Sequence, residues 1–261
     1  MKVYVSTDLE GISGVTVWDQ TRDRTTALYQ EACLLLTHEI NATVEGCLAG
    51  GADEVVVSDG HGGGFNLVPE ELHPGATYVT GPGRPRAACG LDESFDAAML
   101  VGYHAMAGTA NAVLAHTQSS KGGNRYWYNG RESGEIAQTA LVCGHFGVPV
   151  VMVTGDEAAC IEAREFLGEH VVTVGVKRGF GLTCCQMMAP ARAWEMVQAA
   201  AAEALSRIDL CRPYAIDLPI QARLQYGSKE IADKANCSLS TRVDDTTFER
   251  TMDNVLEIYR F

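Results

Sequence analysis

The stretch Val3-Tyr4-Val5-Ser6-Thr7-Asp8-Leu9-Glu10-Gly11 joins a short apolar run to two carboxylates that are two residues apart. The apolar run predicts a buried β-strand over Val3 to Ser6. Side chains two residues apart lie on the same side of an extended backbone, so Asp8 and Glu10 are expected to repel each other unless a cation lies between them. The stretch therefore predicts a divalent metal site at the end of the first strand, with further ligands from elsewhere in the chain.

The composition is that of an ordinary globular protein, with 46% hydrophobic and 20% charged residues in a chain of 261. This length allows one large domain or two modest ones. The net charge of −13 argues against nucleic acid or an anionic membrane as a partner, because either requires a basic face. No stretch approaches the roughly 18 apolar residues of a membrane span, and no basic and apolar leader precedes the first strand, so we expect a cytoplasmic protein.

The nine cysteines are scattered and contain no C-x-x-C motif. This pattern fits neither a disulfide framework nor a zinc knuckle. We expect most of them to be small buried hydrophobic residues in a reducing compartment.

Short apolar strands alternate with helices over much of the chain. The predicted strands are Val3 to Ser6, Glu54 to Ser58, Ala97 to Gly102 and Pro149 to Thr154, and the predicted helices between them are Thr26 to Ala49 and Ser133 to Phe146. This alternation predicts an α/β fold with a largely parallel or mixed sheet flanked by helices.

After Gly181 the pattern changes to a helix over Pro190 to Ile208, a strand near Leu218 to Leu224 and a more polar tail. We therefore expect an α/β metal-binding catalytic portion over residues 1–178. A smaller α+β C-terminal portion is expected over residues 179–261.

Side chains that can bind a metal follow each of the four strands. In chain order they are Asp8 and Glu10, Asp59 and His61, His104, and Asp156, with His116 in a later loop and Glu135 near a helix start. Ligands bind at the carboxyl ends of strands in open α/β sheets, because the loops converge there. Each residue alone has an ordinary interpretation as a turn, capping or packing residue. Together they indicate a metal centre, whereas His38, His73, His145 and His170 lack such company and are expected to be structural or surface residues.

Imidazoles and carboxylates without a thiolate suit zinc, manganese, iron or cobalt, and zinc is favoured. Two histidines and three carboxylates exceed the three protein ligands of a single catalytic zinc. Five ligands with one shared carboxylate would serve two metals roughly 3.5 to 4 Å apart.

The same motifs carry a resemblance to a known family. The run from Ser6 to Gly14, Asp59-Gly60-His61, Gly102-Tyr103-His104-Ala105, His116 and Gly134-Glu135 resemble, in order and spacing, the motifs of the zinc-dependent D-aminopeptidases of the DppA type. The resemblance covers roughly the first 155 residues. It implies that Asp8 bridges two zinc ions, that Glu10, His61, His104 and Glu135 complete the pair, and that His116 is the catalytic residue.

The resemblance also implies an activity and an assembly. The expected reaction is removal of an N-terminal residue, of D configuration, from short peptides such as D-Ala-D-Ala through water activated by two metals. The expected assembly is a homo-decamer of two stacked rings that encloses a chamber. His116 would act as a nucleophile or as a general acid/base, and Asp59 and Asp156 would orient ligand imidazoles or the substrate amine.

Three other interpretations concern the same segments or the same site. His61-Gly62-Gly63-Gly64 matches the oxyanion loop of some esterases, but the chain has no G-x-S-x-G elbow. The segment Gly60 to Phe65 fails the dinucleotide-binding fingerprint, because its third glycine position is Phe65. A non-catalytic metal- or peptide-binding protein that serves peptide uptake stays the alternative function, and turnover with metal restored distinguishes it from an enzyme.

Overall fold

Val3, Tyr4 and Val5 lie in the middle of a strand at the centre of a seven-stranded sheet. The computed structural model covers residues 1–261. Its strands are β1 (Lys2–Thr7), β2 (Glu54–Asp59), β3 (Thr77–Val79), β4 (Ala97–Tyr103), β5 (Arg125–Tyr128), β6 (Arg131–Glu132), β7 (Val150–Asp156), β8 (Val172–Gly181), β9 (Cys184–Met187), β10 (Ile220–Gln225), β11 (Thr241–Arg242) and β12 (Thr247–Met252). Its helices are α1 (Asp19–Arg22), α2 (Ala27–Ala49), α3 (Glu135–His145), α4 (Glu157–Leu167), α5 (Pro190–Leu205) and α6 (Lys229–Lys234).

The seven-stranded sheet has the order β3-β2-β1-β4-β7-β8-β9. All neighbouring strands in it are parallel except β8 and β9, which form an antiparallel pair at the edge. The predicted α/β class with a mixed sheet is confirmed, and the four predicted strands are found within two residues of their expected bounds.

Two hydrophobic cores cover the two faces of this sheet, because successive side chains of a strand point to opposite sides. Val3 and Val5 contribute to the core that includes α2 and α5. Tyr4 contributes to the core that includes α3, α4 and the second sheet. The burial of both faces explains why the strands read as continuous apolar runs rather than as alternating ones.

Local hydrogen bonds determine the first residue of helices α2 and α3. The Thr26 hydroxyl accepts a hydrogen bond from the Tyr29 N–H and caps α2, so the helix begins at Ala27, one residue after its predicted start. Helix α3 begins at Glu135 rather than at Ser133, because the Ser133 N–H donates to the Tyr126 carbonyl and Gly134 is extended.

None of the helices combines the length and the apolar character that a membrane crossing requires.

A second, antiparallel sheet has the order β11-β12-β10-β5-β6. Its strands β5 and β6 come from the first 178 residues, whereas β10, β11 and β12 come from the C-terminal portion. Pairing of Ala222 with Tyr128 joins the two parts. The division of the chain into folding units at residue 178 stays a prediction.

Candidate metal centre

The register of the central strands brings the predicted ligands to one edge of the sheet. Thr7 of β1 pairs with Asp59 of β2 on one side and with Val101 of β4 on the other, and both pairings are parallel. The three strands therefore end side by side. The residues that follow each end include Asp8, His61 and His104.

Close backbone packing fixes the first strand end against β4. Gly102 has a φ of +76°, and a Cβ at this position would lie 2.3 Å from the Asp8 carbonyl oxygen. The Gly11 N–H donates to the Gly102 carbonyl at 2.7 Å, and a Cβ on Gly11 would lie 2.0 Å from the Tyr103 carbonyl oxygen. Only glycine fits at either position, which explains the glycines that border both ligand motifs.

The five predicted ligands come together. His61 Nδ1 lies 3.0 Å from Asp8 Oδ1 and 3.0 Å from Glu10 Oε2. His104 Nε2 lies 3.3 Å from Asp8 Oδ2 and 3.4 Å from Glu135 Oε1. Asp8 therefore lies between the two imidazoles, with one carboxylate oxygen towards each.

Each imidazole has one nitrogen fixed by a backbone carbonyl. His61 Nε2 is 2.9 Å from the Thr21 carbonyl, His104 Nδ1 is 3.0 Å from the carbonyl of the next residue, and His116 Nδ1 is 2.8 Å from the Leu114 carbonyl. A carbonyl only accepts, so these ring nitrogens carry the protons. The opposite nitrogens are then left to face the carboxylates, which is how metal-binding histidines are usually oriented.

Three buried atoms at this edge that could bind a metal lie close to other ligand-capable atoms but make no hydrogen bond of good geometry: Asp8 Oδ2, Glu10 Oε2 and His104 Nε2. The three residues are at most 6% exposed. Buried polar atoms are rarely left unpaired, because the cost of removing them from water is then not recovered. Ligand-capable atoms of these residues lie within 4.8 Å of one another, so the arrangement fits a metal ion.

The electrostatics of the metal-free site agree with this fit. Burial alone would raise the pKa of Asp8, but contacts with His104 and His61 hold it well below its ordinary value. Burial alone would lower the pKa values of His61 and His104, but the neighbouring carboxylates hold both well above the ordinary value. The carboxylates thus favour positive charge at this position, which a bound cation would supply.

His116 lies beside this cluster in the loop that follows β4. Its Nε2 is 3.9 Å from Glu135 Oε1, and its ring stacks on the ring of His104. Burial, followed by the nearby His104, lowers the pKa of His116. Donor atoms of His104, His116 and Glu135 also lie within 4.8 Å of one another, so the geometry leaves two roles for His116, a ligand or a residue beside the metal.

Asp59 and Asp156 act on the loops of the site rather than on the imidazoles. Asp59 accepts hydrogen bonds from the Asn66 backbone N–H at 2.8 Å and the Asn66 side chain at 2.7 Å, and that side chain also donates to the His61 carbonyl. Asp156 caps α4 through the Ala159 N–H and accepts from the Val113 N–H at 2.7 Å. Both carboxylates thus support loops of the site rather than contacting the ligand rings, and a role of either in orienting the substrate amine stays a prediction.

Lys177 is a site residue that sequence reasoning missed. Its buried ammonium group donates to the carbonyls of Glu10, Ile12 and Val15 at 2.5, 2.9 and 2.6 Å. These bonds hold the loop that carries Glu10 from the side of β8. No local pattern could have revealed the contact, because a lysine in a strand usually indicates an exposed position.

Comparisons with known proteins decide the family. The family model for D-aminopeptidases matches residues 1–261. The chain belongs to the D-aminopeptidase family. A D-aminopeptidase of Bacillus subtilis (strain 168) is 33% identical over 264 residues, which cover 100% of this chain and 94% of that protein.

A solved structure agrees with this membership. The Zn-dependent D-aminopeptidase DppA from Bacillus subtilis, described as a self-compartmentalizing protease, matches with a TM-score of 0.93 and 31% identity, over 100% of this chain and 94% of that one. The family resemblance seen in the motifs is therefore confirmed. The prediction that this D-aminopeptidase family member is an enzyme, a hydrolase, is confirmed as well.

Proposed function

We propose that this protein is a zinc-dependent aminopeptidase that removes an N-terminal D-residue from short peptides such as D-Ala-D-Ala. The proposal rests on three buried ligand-capable atoms, one each of Asp8, Glu10 and His104, that converge without making a hydrogen bond of good geometry. Family membership supports the reaction class, and the zinc dependence of the DppA structure supports the metal.

We assign two ions to each chain, held by Asp8, Glu10, His61, His104 and Glu135. The position of Asp8 between His61 and His104 supports its role as the shared ligand. Imidazole and carboxylate donors without thiolates suit zinc. When bound, such a pair lowers the pKa of water towards neutrality and polarises the scissile carbonyl.

The chain's own residues then have distinct tasks. The Leu114 carbonyl keeps the proton of His116 on Nδ1, so that Nε2 can accept a proton from the attacking water and return it to the leaving amine. The lowered pKa of His116 keeps this ring neutral and ready to accept at neutral pH. Lys177 holds the Glu10 loop in place during these steps.

We also propose that subunits form a homo-decamer of two stacked rings around a chamber. The self-compartmentalizing description of DppA supports such an assembly. The β8–β9 hairpin lies at an open sheet edge and exposes Phe180, Leu182 and Met187, which are 58%, 48% and 49% exposed. Exposed apolar side chains beside an open sheet edge favour contact with another chain. The cytoplasmic location stays a prediction.

Turnover of defined peptides tests the function. Zinc-loaded protein is incubated with D-Ala-D-Ala and with L-Ala-L-Ala, and the free amino acid is measured by chromatography. We expect release of D-alanine, a much slower reaction with the L-peptide, and loss of both on removal of zinc. Glu135→Gln changes one proposed ligand with little change in size. Like the removal of zinc, it should abolish the release of D-alanine.

Two results would contradict the proposal in different ways. A zinc-loaded protein that binds D-Ala-D-Ala without cleaving it would favour the non-catalytic binding protein. Faster cleavage of the L-peptide would keep the aminopeptidase and refute the D preference.

A further inference from the structure

The metal site lies in a cavity of about 540 Å³ at the carboxyl ends of the strands. Asp8, Glu10 and Glu135 are part of its lining. Four cationic side chains also line it: Arg22, Arg84, Arg86 and Lys121. The whole chain carries a net charge of −13, yet four of its cationic side chains lie around this one acidic site.

Two of these cations are used to brace loops. Arg22 donates through Nε to the Ser120 hydroxyl at 3.0 Å, and its guanidinium stacks on the Trp18 ring at 3.7 Å. Arg86 donates through Nη1 to the Ala88 carbonyl at 3.0 Å and through Nη2 to another carbonyl of the same segment. Both side chains are thus held mainly by the protein itself.

The guanidinium of Arg84 makes one hydrogen bond to the protein, and its other donors make none. Its Nη1 donates to the Asp59 carbonyl at 2.6 Å, while its Nη2 and Nε have no protein partner. The side chain is half-buried, and its single hydrogen bond sets its direction. The Nη2 and Nε groups stay available to a ligand. Lys121 also lacks a partner, but it is exposed and nothing fixes its position.

The anchor of Arg84 is at the same strand ends as the metal ligands. Asp59 is the last residue of β2, pairs with Thr7, and is two residues from His61. A dipeptide spans about 7 Å when extended. A short peptide with its scissile carbonyl at the metal ligands would therefore have its C-terminal end near this wall of the cavity.

We propose that Arg84 binds the α-carboxylate of the substrate and so selects short peptides with a free C-terminus. This inference rests on the proposed peptidase function and assigns a specificity residue to it. A guanidinium suits the task because its planar donors match the two oxygens of a carboxylate. Desolvation of the carboxylate inside the cavity strengthens the contact relative to the same pair in water.

Paired substrates test the assignment. The zinc-loaded protein is assayed with D-Ala-D-Ala and with its C-terminal amide, D-alanyl-D-alaninamide, which lacks only the negative charge. We expect the wild-type protein to prefer the acid. Arg84→Gln should lower kcat/KM for the acid by about 10- to 100-fold, mainly through KM, and leave the amide unchanged. Arg84→Lys should restore part of the preference.

Matched controls separate this effect from damage to the fold. Arg223→Gln makes the same chemical change on the exposed side of β10 and should leave both substrates unchanged. Zinc content of Arg84→Gln should equal that of the wild type, and its thermal unfolding should stay cooperative with only a small loss of stability, because the Asp59 carbonyl loses its donor. An acid-to-amide ratio that Arg84→Gln leaves unchanged would overturn the assignment while the peptidase stands. Absence of turnover with both substrates in the wild type would overturn the proposed function and the assignment together.

Discussion

The imidazole rings of His104 and His116 stack with their centroids 3.9 Å apart and their planes at 15°. Two charged rings at this distance would repel each other. His104 faces the carboxylates of Asp8 and Glu135, whereas burial and the nearby His104 lower the pKa of His116. The pair is therefore suited to two different roles, one ring at the metal and one neutral ring that handles a proton.

Substitution of His116 separates these roles. We expect His116→Ala to keep its zinc and to lose turnover by about 10²- to 10⁴-fold, the usual cost of removing a general acid/base. His104→Ala and His61→Ala should lose zinc first and activity as a consequence. Zinc is measured by elemental analysis after dialysis, and His145→Ala, on the exposed end of α3, is the control. Zinc loss from His116→Ala equal to that from His104→Ala would show that His116 is a ligand.

Lys177→Met tests whether the loop that carries Glu10 is held from β8. The change leaves three backbone carbonyls without their donor, so we expect a loss of roughly 3 kcal/mol in the free energy of unfolding. The looser loop should weaken zinc binding by about 10- to 100-fold in a chelator competition assay. Lys234→Met, on an exposed helix, is the control. Unchanged zinc affinity would refute the positioning role.

Glu39 gives a prediction for the pH dependence of stability. Burial raises its pKa from 4.5 to about 7, and its side chain contacts the Ser13 N–H and the Thr154 hydroxyl. The unfolded chain loses this proton at a lower pH than the folded chain does, so stability is lost as the pH rises from about 4.5 to about 7. As the pH is raised from 5 to 8, the free energy of unfolding of Glu39→Gln should therefore rise by about 2.5 kcal/mol relative to that of the wild type.

Urea unfolding at the two pH values measures this difference. Glu45→Gln on the exposed face of α2 is the matched control and should show no such change. An equal effect of Glu39→Gln at both pH values would show that Glu39 does not hold its proton in the folded state.

The assembly is tested by mass. We expect light scattering to give a mass near ten times the 28.0 kDa of one chain. Phe180→Asp should reduce the mass, because it places a charge on the apolar surface of the β8–β9 hairpin. Circular dichroism checks that the variant is folded. A wild-type monomer or dimer at micromolar concentration would refute the ring assembly and leave the chemistry untouched.

Much of the α/β core, and the convergence of the candidate ligands, was predictable because the signals are local. Each parallel strand is an unbroken apolar run, and helix α2 carries its own capping residue, Thr26. The candidate ligands other than Glu135 follow ends of the parallel strands, and parallel register brings such ends together without any knowledge of loop structure.

The rest depended on contacts between distant parts of the chain. The pairing of Ala222 with Tyr128 builds a sheet from both portions, and neither strand indicates its partner. Lys177 is buried because it meets carbonyls more than 160 residues away. The direction of Arg84 depends on a single bond to the Asp59 carbonyl. Such contacts are set by tertiary packing and leave no periodic trace in the sequence.

We propose that five side chains hold two metal ions in each chain. Zinc titration of chelator-stripped protein, followed by calorimetry and checked by elemental analysis after dialysis, measures the number directly. We expect two equivalents per chain in the wild type and loss of both in Asp8→Asn, since Asp8 is the proposed shared ligand. One equivalent or none in the folded wild type, or two equivalents retained by Asp8→Asn, would contradict it.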